Sequence, residues 1–460
     1  MQNSTTIRRE AWLTSALALP LIAGQLNHML ISMADTLMIG KVGIVPLAAS
    51  TLANTILYVP LMLGIGMSVA VSVRVSQARG AKDPAAARAA LRHGLYLATA
   101  VGLFTVALSW LVKPFFPLFR QQPEVIQAAP TYFHLVACSM VPAIAALAIK
   151  SHSDAMNRPW PAFWVMFGGV ILNVLLNWIF IFGNVGAPAM GLEGAGLATL
   201  LARIATMAGL ICLCLNLPGF KDWVPKRWLA KPDWPAVRHL IAIGIPTSIQ
   251  LLAEVGAFLM ATFIIGSLGA EALASHQVAI TCAATVFMIP LGISMAMTVR
   301  IGEVWGANQN DRMRPIVVGG WLMALGFTML SATLFLCFNR EIASWFITEP
   351  QALSLAAGLL LVAAAFQLSD AMQIISAGSL RGLNDVRIPA WIAFISYWIV
   401  ALPMGWFFAF PLAMGVKGMW WGITIGLTIT AITLGQRIWR MTGNRVPEFI
   451  RPETLPAENA

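Results

Sequence analysis

Long apolar runs alternate along the chain with short polar segments. A helix of about twenty apolar residues crosses the hydrocarbon core of a bilayer. The run from Trp12 to about Ala34 is too long for the apolar region of a cleavable signal, so it is predicted to be retained as a first helix. The pattern predicts twelve transmembrane helices, at 12–39, 47–73, 93–116, 130–150, 160–184, 190–216, 239–267, 274–299, 316–338, 353–377, 388–410 and 414–438.

The composition agrees with this prediction of an all-α membrane protein. Of the 460 residues, 58% are hydrophobic and 10% are charged, whereas soluble proteins contain about 25% charged residues. The net charge of +10 does not indicate a nucleic-acid partner, because the charges lie between the apolar runs and not on a tail or face. All five cysteines fall inside apolar runs, without disulfide or metal spacing, and are predicted to pack as small apolar residues.

Lysine and arginine determine the predicted orientation. Of the 29 basic residues, 23 lie in segments on the same side as both termini and five lie in the opposite loops. Basic residues concentrate on the cytoplasmic side of membrane proteins, so both termini are predicted to be cytoplasmic. The remaining base, Arg203, lies in the middle of a span, and the sequence leaves its partner open.

The chain matches itself when it is shifted by 226 residues. Between positions 20 and 81 there are 18 identities in 62 positions, which indicates a duplication. Six helices per half would make two bundles related by a pseudo-two-fold axis along the membrane normal, an architecture typical of transporters. The predicted domains are an N-lobe at 1–216, a cytoplasmic linker at 217–238, a C-lobe at 239–440 and a cytoplasmic tail at 441–460.

Three acids lie within the predicted spans: Asp35, Glu254 and Asp370. An ionised side chain in the membrane is costly unless it faces a cavity, pairs, binds a cation or stays protonated. The competing interpretation is an acid at a helix end that reaches water. Asn173 and Asn177 are four residues apart and share a helix face, where they serve either a polar site or interhelical hydrogen bonding.

The absence of several sequence motifs argues against other functions. The sequence contains no GxxxxGK[ST] phosphate-binding loop, no HExxH and no GxSxG. We therefore expect neither an ATP-driven pump nor an enzyme, and no cofactor beyond a coupling ion. Transport would be driven by an ion gradient, with the buried acids as the coupling groups.

The sequence resembles the multidrug and toxic compound extrusion (MATE) family, in particular its bacterial NorM-like branch. The resemblance covers nearly the whole chain. It depends on the segments SMADTLMIG (32–40), ARGAKD (78–83), LNVLLNWIFIFG (172–183), GLEGAGLAT (191–199), SLGAEALASHQVA (267–279) and SDAMQIISAGSLRGLNDVRIP (369–389).

The resemblance implies a secondary active transporter of the bacterial inner membrane. It would export cationic amphiphilic drugs and dyes by antiport against Na⁺ or H⁺, with membrane lipid around it and no obligate protein partner. Cation-coupling acids of the family map onto Asp35, Glu254 and Asp370, and Glu254 and Asp370 are expected to form a Na⁺ or H⁺ site in the second half.

Further residues are assigned supporting roles by the same resemblance. Asp154 matches a family acid, and Asn173 and Asn177 match a polar cluster of the first half, although some relatives carry an acid at position 177. Phe287 and Phe366 are candidates for the apolar lining of a drug cavity. Because close relatives carry a tyrosine where this chain has Phe366, one hydroxyl ligand of the second-half site is expected to be missing.

Three alternatives remain at this point. A lipid-linked saccharide flippase of the same superfamily usually carries more helices and basic residues in its cavity, whereas this chain has one mid-span base against three acids. A major-facilitator carrier also has six plus six helices, but its characteristic loop between helices 2 and 3 is not matched by RVSQARGAKD. A receptor or assembly scaffold leaves the buried acids unexplained.

Overall fold

The computed structural model describes residues 2–119 and 121–443, and over these residues it contains α-helices, two 3₁₀ turns and one π segment, with no β-strand. The α-helices are α1 Gln2–Gly40, α2 Ile44–Gly80, α3 Pro84–Val112, α4 Pro123–Ala155, α5 Pro159–Phe182, α6 Gly191–Asn216, α7 Trp234–Gly266, α8 Ala270–Gly306, α9 Met313–Ser344, α10 Pro350–Gly382, α11 Arg387–Phe394, α12 Leu402–Ala409 and α13 Gly415–Met441.

The predicted number of spans is confirmed for the part of the chain that the structure describes. Twelve helical segments in it are long and apolar enough to cross a membrane, with α11, the π segment and α12 together forming the eleventh. Most of the predicted cytoplasmic tail, from residue 444 onward, lies outside the described residues.

Several helices are longer than the hydropathy pattern predicts. Helix α2 continues seven residues beyond the predicted end at 73, and α7 already begins at Trp234, within the predicted linker 217–238. Hydropathy detects only the part of a helix that lies in hydrocarbon. Polar ends continue as helix where local chemistry supports them, as at α3. There the Asp83 side chain accepts a hydrogen bond from the backbone N–H of Ala86 (3.0 Å), and Pro84 occupies the first turn.

The eleventh span is not the single regular helix that was predicted at 388–410. A π segment, Ile395–Ala401, separates α11 from α12. Pro403 in the first turn of α12 has no N–H to donate to the preceding turn, which favours a local change of hydrogen bonding. π turns occur frequently at functional sites because they change the face to which the following side chains point.

The structure repeats itself as the sequence does. Helices α2 and α8 have 37 residues each, and α4 and α10 have 33 residues each. After α2 and α8 the chain passes through a left-handed residue, Lys82 (φ 56°) and Asn308 (φ 55°). After α4 and α10 it does so at Asn157 (φ 55°) and Asn384 (φ 62°). Positive φ is uncommon outside glycine, so its recurrence at equivalent turns supports a duplication.

The described residues form two compact units. We call residues 23–248 the N-unit, and residues up to Ile22 together with those from Ile249 onward the C-unit. These boundaries lie inside α1 and α7, shortly after Pro20 and Pro246, and not in the predicted linker. The assignment of 1–216 and 239–440 to two lobes therefore differs from the observed units at the start of each half.

In the C-unit, small residues hold α8 and α10 close together. A Cβ built on Gly378 would lie 2.3 Å from the Ser294 hydroxyl, so any larger residue would force the two helices apart. The Ser294 hydroxyl donates to the carbonyl of Ile374 (2.6 Å), and the Thr298 hydroxyl donates to the carbonyl of Gly378 (2.8 Å). Close approach through small residues with interhelical hydrogen bonds is typical of membrane helices, and here it fixes the position of α10.

An ionic contact joins the beginning of α1 to the rest of the C-unit. Glu10 is buried and accepts hydrogen bonds from the guanidinium groups of Arg300 on α8 and Arg312 just before α9, the latter ion pair at 2.8 Å. A buried carboxylate needs such partners, because an uncompensated charge is strongly destabilising.

Candidate cation-coupling sites

The two acids predicted to share a site in the second half are brought together in the C-unit. Glu254 lies on α7 and Asp370 on α10, and both are buried. Gln373, one turn beyond Asp370, donates a hydrogen bond from Nε2 to Glu254 Oε1 (3.3 Å) and also interacts with the Asp370 carboxylate. The fully buried Gln373 side chain thus links the two acids.

Tyr397 lies beside this pair. It belongs to the π segment, is 1% exposed and is an electrostatic neighbour of both Glu254 and Asp370. The adjacent indole of Trp398 donates a hydrogen bond to the carbonyl of Ala253 (2.9 Å), which attaches the π segment to α7 directly next to Glu254. The irregular turn of the eleventh span is therefore what places a hydroxyl at the acid pair.

Two oxygens of this cluster are buried without a hydrogen-bond partner among the described residues, Asp370 Oδ1 and Gln373 Oε1, while the Tyr397 hydroxyl lies against the Glu254 carboxylate. Buried polar atoms in proteins are normally hydrogen-bonded, so two such atoms in one cluster need an explanation. Carboxylate, amide and hydroxyl oxygens are ligands for hard cations. Together with the Glu254 carboxylate they form a donor set that fits a small hard ion.

The charge of the cluster favours a monovalent ion. Arg381, near the end of α10, is an electrostatic neighbour of Glu254. With both acids ionised, two carboxylates and one guanidinium leave one negative charge. No group of three or more His, Cys, Asp or Glu side chains that could hold a metal is present in the described part of the chain. One Na⁺ or one H⁺ would neutralise the cluster.

The two predicted phenylalanines occupy different surroundings. Phe366 is buried and packs edge-on against two rings. Its ring centroid lies 5.4 Å from that of Trp420 and 6.0 Å from that of Phe258. It therefore belongs to an aromatic cluster that also contains Tyr397, whose hydroxyl lies against Glu254. Phe287, on α8, is partly exposed. Its role in a drug cavity stays a prediction.

Sequence reasoning missed Gln373 and Tyr397. Gln367, Asp370 and Gln373 follow one another at intervals of three residues, which places them on one helix face. This spacing could have identified the glutamines. Gln367 accepts a hydrogen bond from the Ser331 hydroxyl (2.8 Å), so the polar face continues toward α9. No comparable pattern marks Tyr397, because a π turn breaks the regular helical spacing.

In the N-unit, the structure joins Asp35 to the predicted asparagines. Asn177 donates from Nδ2 to Asp35 Oδ1 (2.6 Å) and is also within hydrogen-bond distance of Asn173 Oδ1 (3.2 Å). Asn173 in turn reaches the Thr199 hydroxyl at 3.5 Å. Asp35 is partly exposed, whereas both asparagines are buried.

The partner of Arg203, which the sequence left open, is a hydroxyl. The guanidinium donates to Ser139 Oγ (2.8 Å) and is an electrostatic neighbour of Asp35, with which it forms no ion pair within 4.0 Å in the described structure. The positive charge nevertheless offsets that of Asp35. The N-unit cluster thus lacks the excess negative charge of the C-unit cluster.

Asp154 does not join the Asp35 cluster. It lies at the end of α4, where its carboxylate is buried and accepts a hydrogen bond from Lys150 Nζ (2.6 Å). At 1.5 Å per residue, Asp154 is about 22 Å along the helix from Ser139, the contact of Arg203. The predicted supporting acid is therefore a partner of Lys150, one turn earlier on the same helix.

Comparison with known proteins follows the same division of the chain. The MatE family model matches residues 20–179 and 246–407. The two segments begin 226 residues apart, which is the same shift at which the sequence matches itself. A "Probable multidrug resistance protein NorM" of Bradyrhizobium diazoefficiens is 36% identical over 439 residues, 94% of each chain. The protein of the same name from Rhizobium meliloti is 34% identical over 433 residues, 92% of each chain.

Solved structures show the same fold. The Vibrio cholerae MATE transporter VcmN in its bent form superposes with a TM-score of 0.86 at 20% identity, covering 95% of this chain and 98% of its own. The eukaryotic MATE transporter AtDTX14 superposes with a TM-score of 0.85 at 17% identity, covering 97% of this chain and 100% of its own.

Proposed function

Since this chain belongs to the MATE family of multidrug efflux transporters, we propose that it exports cationic amphiphilic compounds in exchange for Na⁺ or H⁺. The exchange would take place across the bacterial inner membrane, with both termini in the cytoplasm. The excess of lysine and arginine in the segments that share a side with the termini supports this orientation.

The observation that carries the proposal is the C-unit cluster. Two buried carboxylates, Glu254 and Asp370, share Gln373 as a neighbour, and two oxygens of the cluster, Asp370 Oδ1 and Gln373 Oε1, have no partner among the described residues. Excess negative charge inside a membrane protein is unfavourable unless a cation or proton is bound or water has access. The loaded and unloaded cluster should therefore favour different conformations of the protein.

Coupling follows if the ion and the drug favour different states. A ligand shifts a conformational equilibrium only by its difference in affinity for the two states. We propose that Na⁺ or H⁺ at Glu254 and Asp370 stabilises the state that releases drug, and that the unloaded site stabilises the state that binds it. Linkage then makes each ligand weaken the binding of the other.

Asp35 has a different proposed role. It is partly exposed and hydrogen-bonded to Asn177, and the charge of Arg203 lies nearby. We propose that Asp35 alternates between this polar cluster and contact with a proton or the cationic drug. Abundant methionine and phenylalanine, 23 of each, would provide adaptable apolar and ring surfaces for drug bodies.

Vesicles reconstituted with the protein and loaded with a fluorescent lipophilic cation test the proposal. Na⁺ and pH gradients are imposed separately, and protein-free vesicles serve as the control. We expect gradient-driven movement of the cation and little movement of neutral or anionic analogues with the same apolar body. Equal transport of an anionic analogue would contradict the proposed selectivity, and transport that ignores both gradients would contradict antiport.

A further inference from the structure

A cavity of about 370 Å³ lies between the beginning of α11 and the end of α13, within the C-unit. Its volume is in the range of small-molecule sites, roughly 300–1,000 Å³. The cluster of Glu254 and Asp370 does not line it. Its lining includes Ile388, Ile392, Thr433, Gln436, Arg437 and Arg440.

The cavity lining has an apolar part and a basic part. Ile388 and Ile392 are one turn apart on α11 and provide the apolar part. Arg437 and Arg440 are one turn apart on α13 and provide the basic part. The Arg437 guanidinium forms an ion pair with Asp385, which lies in the turn between α10 and α11. Arg440 is exposed and forms no ion pair in the described chain.

Two tryptophans that adjoin lining residues in sequence, next to Ile392 and Arg440, mark the depth of the membrane surface. Trp391 on α11 is 66% exposed, and Trp439 on α13 is 44% exposed. Trp439 stacks on Trp321 at 6.2 Å, and the Arg314 guanidinium lies 4.7 Å from the Trp439 ring centroid. Tryptophan and basic residues concentrate at the level of the lipid headgroups. The cavity therefore opens at the depth where a headgroup meets its acyl chains.

We propose that this cavity binds an anionic phospholipid. The phosphate would lie against the Arg440 and Arg437 guanidinium groups, with the Gln436 amide available as a hydrogen-bond donor, and the first acyl carbons would lie along Ile388 and Ile392. Basic pockets between membrane helices bind anionic headgroups, preferentially in the cytoplasmic leaflet. A free phosphate would contact only the basic part, so the apolar part favours a lipid as the occupant.

The binding has a structural consequence that does not depend on transport. The lipid would bridge α11 and α13, and α11 leads directly into the π segment that carries Tyr397. A ligand that binds only the folded protein raises its stability in proportion to affinity and concentration. Added anionic lipid should therefore raise the temperature at which the detergent-solubilised protein unfolds.

The test measures thermal unfolding of the full-length protein in detergent with increasing phosphatidylglycerol, and in parallel with phosphatidylcholine carrying the same acyl chains. We expect stabilisation by phosphatidylglycerol only. Arg440→Gln should weaken its apparent affinity about fivefold, the effect of one basic residue at the membrane surface. Arg238→Gln is the matched control, because it removes an exposed helical arginine on the same predicted side but outside the cavity.

A second variant and a second ligand separate the remaining outcomes. Ile392→Trp should fill the apolar part and abolish the preference for phosphatidylglycerol while both arginines remain, and it decides the matter if Arg440→Gln does not fold. Glycerol phosphate, which lacks acyl chains, should not stabilise the protein at the same concentrations. Wild-type lipid affinity in the variants, or equal stabilisation by glycerol phosphate, would overturn the proposal.

Discussion

Replacing Glu254 by glutamine would remove one of the two acidic charges of the C-unit cluster with little change of shape. Glutamine retains an oxygen that can accept the hydrogen bond of Gln373, so folding should be preserved. A cation bound at about 4 Å from the lost charge, in surroundings with an effective dielectric constant of about 20, would lose about 4 kcal/mol of attraction. This corresponds to roughly a thousandfold weaker cation binding.

The assay is the dependence of dye efflux on Na⁺ concentration and on the pH gradient, in vesicles that contain equal amounts of folded protein. Glu254→Gln should abolish efflux that is driven by the coupling ion. Glu271→Gln is the matched control, since it makes the same chemical change at an exposed position in the first turn of α8. The assignment of Glu254 to the cation site would be refuted if the Glu254→Gln variant kept wild-type turnover and its cation concentration for half-maximal efflux changed by less than tenfold.

Two further predictions concern Asp35 and Tyr397. Asp35→Asn should leave the unfolding temperature nearly unchanged and stop efflux; reduced stability with normal turnover per folded molecule would assign Asp35 to structure alone. Tyr397→Phe removes only a hydroxyl and should raise the cation concentration for half-maximal efflux by about tenfold, the effect of losing one polar contact to a charged group. Tyr96→Phe, whose hydroxyl donates to backbone carbonyls in the N-unit, is the control and should leave that concentration unchanged.

The sequence was sufficient for the features that depend on hydropathy and charge. Apolar run length predicts the twelve spans, because crossing a bilayer requires a nearly fixed number of helical residues. The rarity of acids in apolar runs singles out Glu254 and Asp370, and the structure links them through Gln373. Their function in coupling stays a prediction.

Features that depend on local backbone geometry could not be predicted in this way. The π segment changes the direction of Tyr397, and a regular helical spacing gives no sign of this. Asp154 was assigned by resemblance alone, without the neighbouring Lys150, whose ammonium group binds it four residues earlier on the helix. Helix ends were also misplaced, because polar residues beyond the hydrocarbon core continue the helix.

The contact of Glu10 with Arg300 and Arg312 has a consequence for the order in which the protein can assemble during synthesis. Glu10 is synthesised before its two partners, which follow 290 and 302 positions later. Until then the acid has no basic partner from the C-unit, and burying it alone would be unfavourable. We therefore expect the beginning of α1 to reach its final position only after α8 and the residues just before α9 have been made. A nascent chain that stops after the first half would contain all of α1 but neither of the arginines that pair with Glu10.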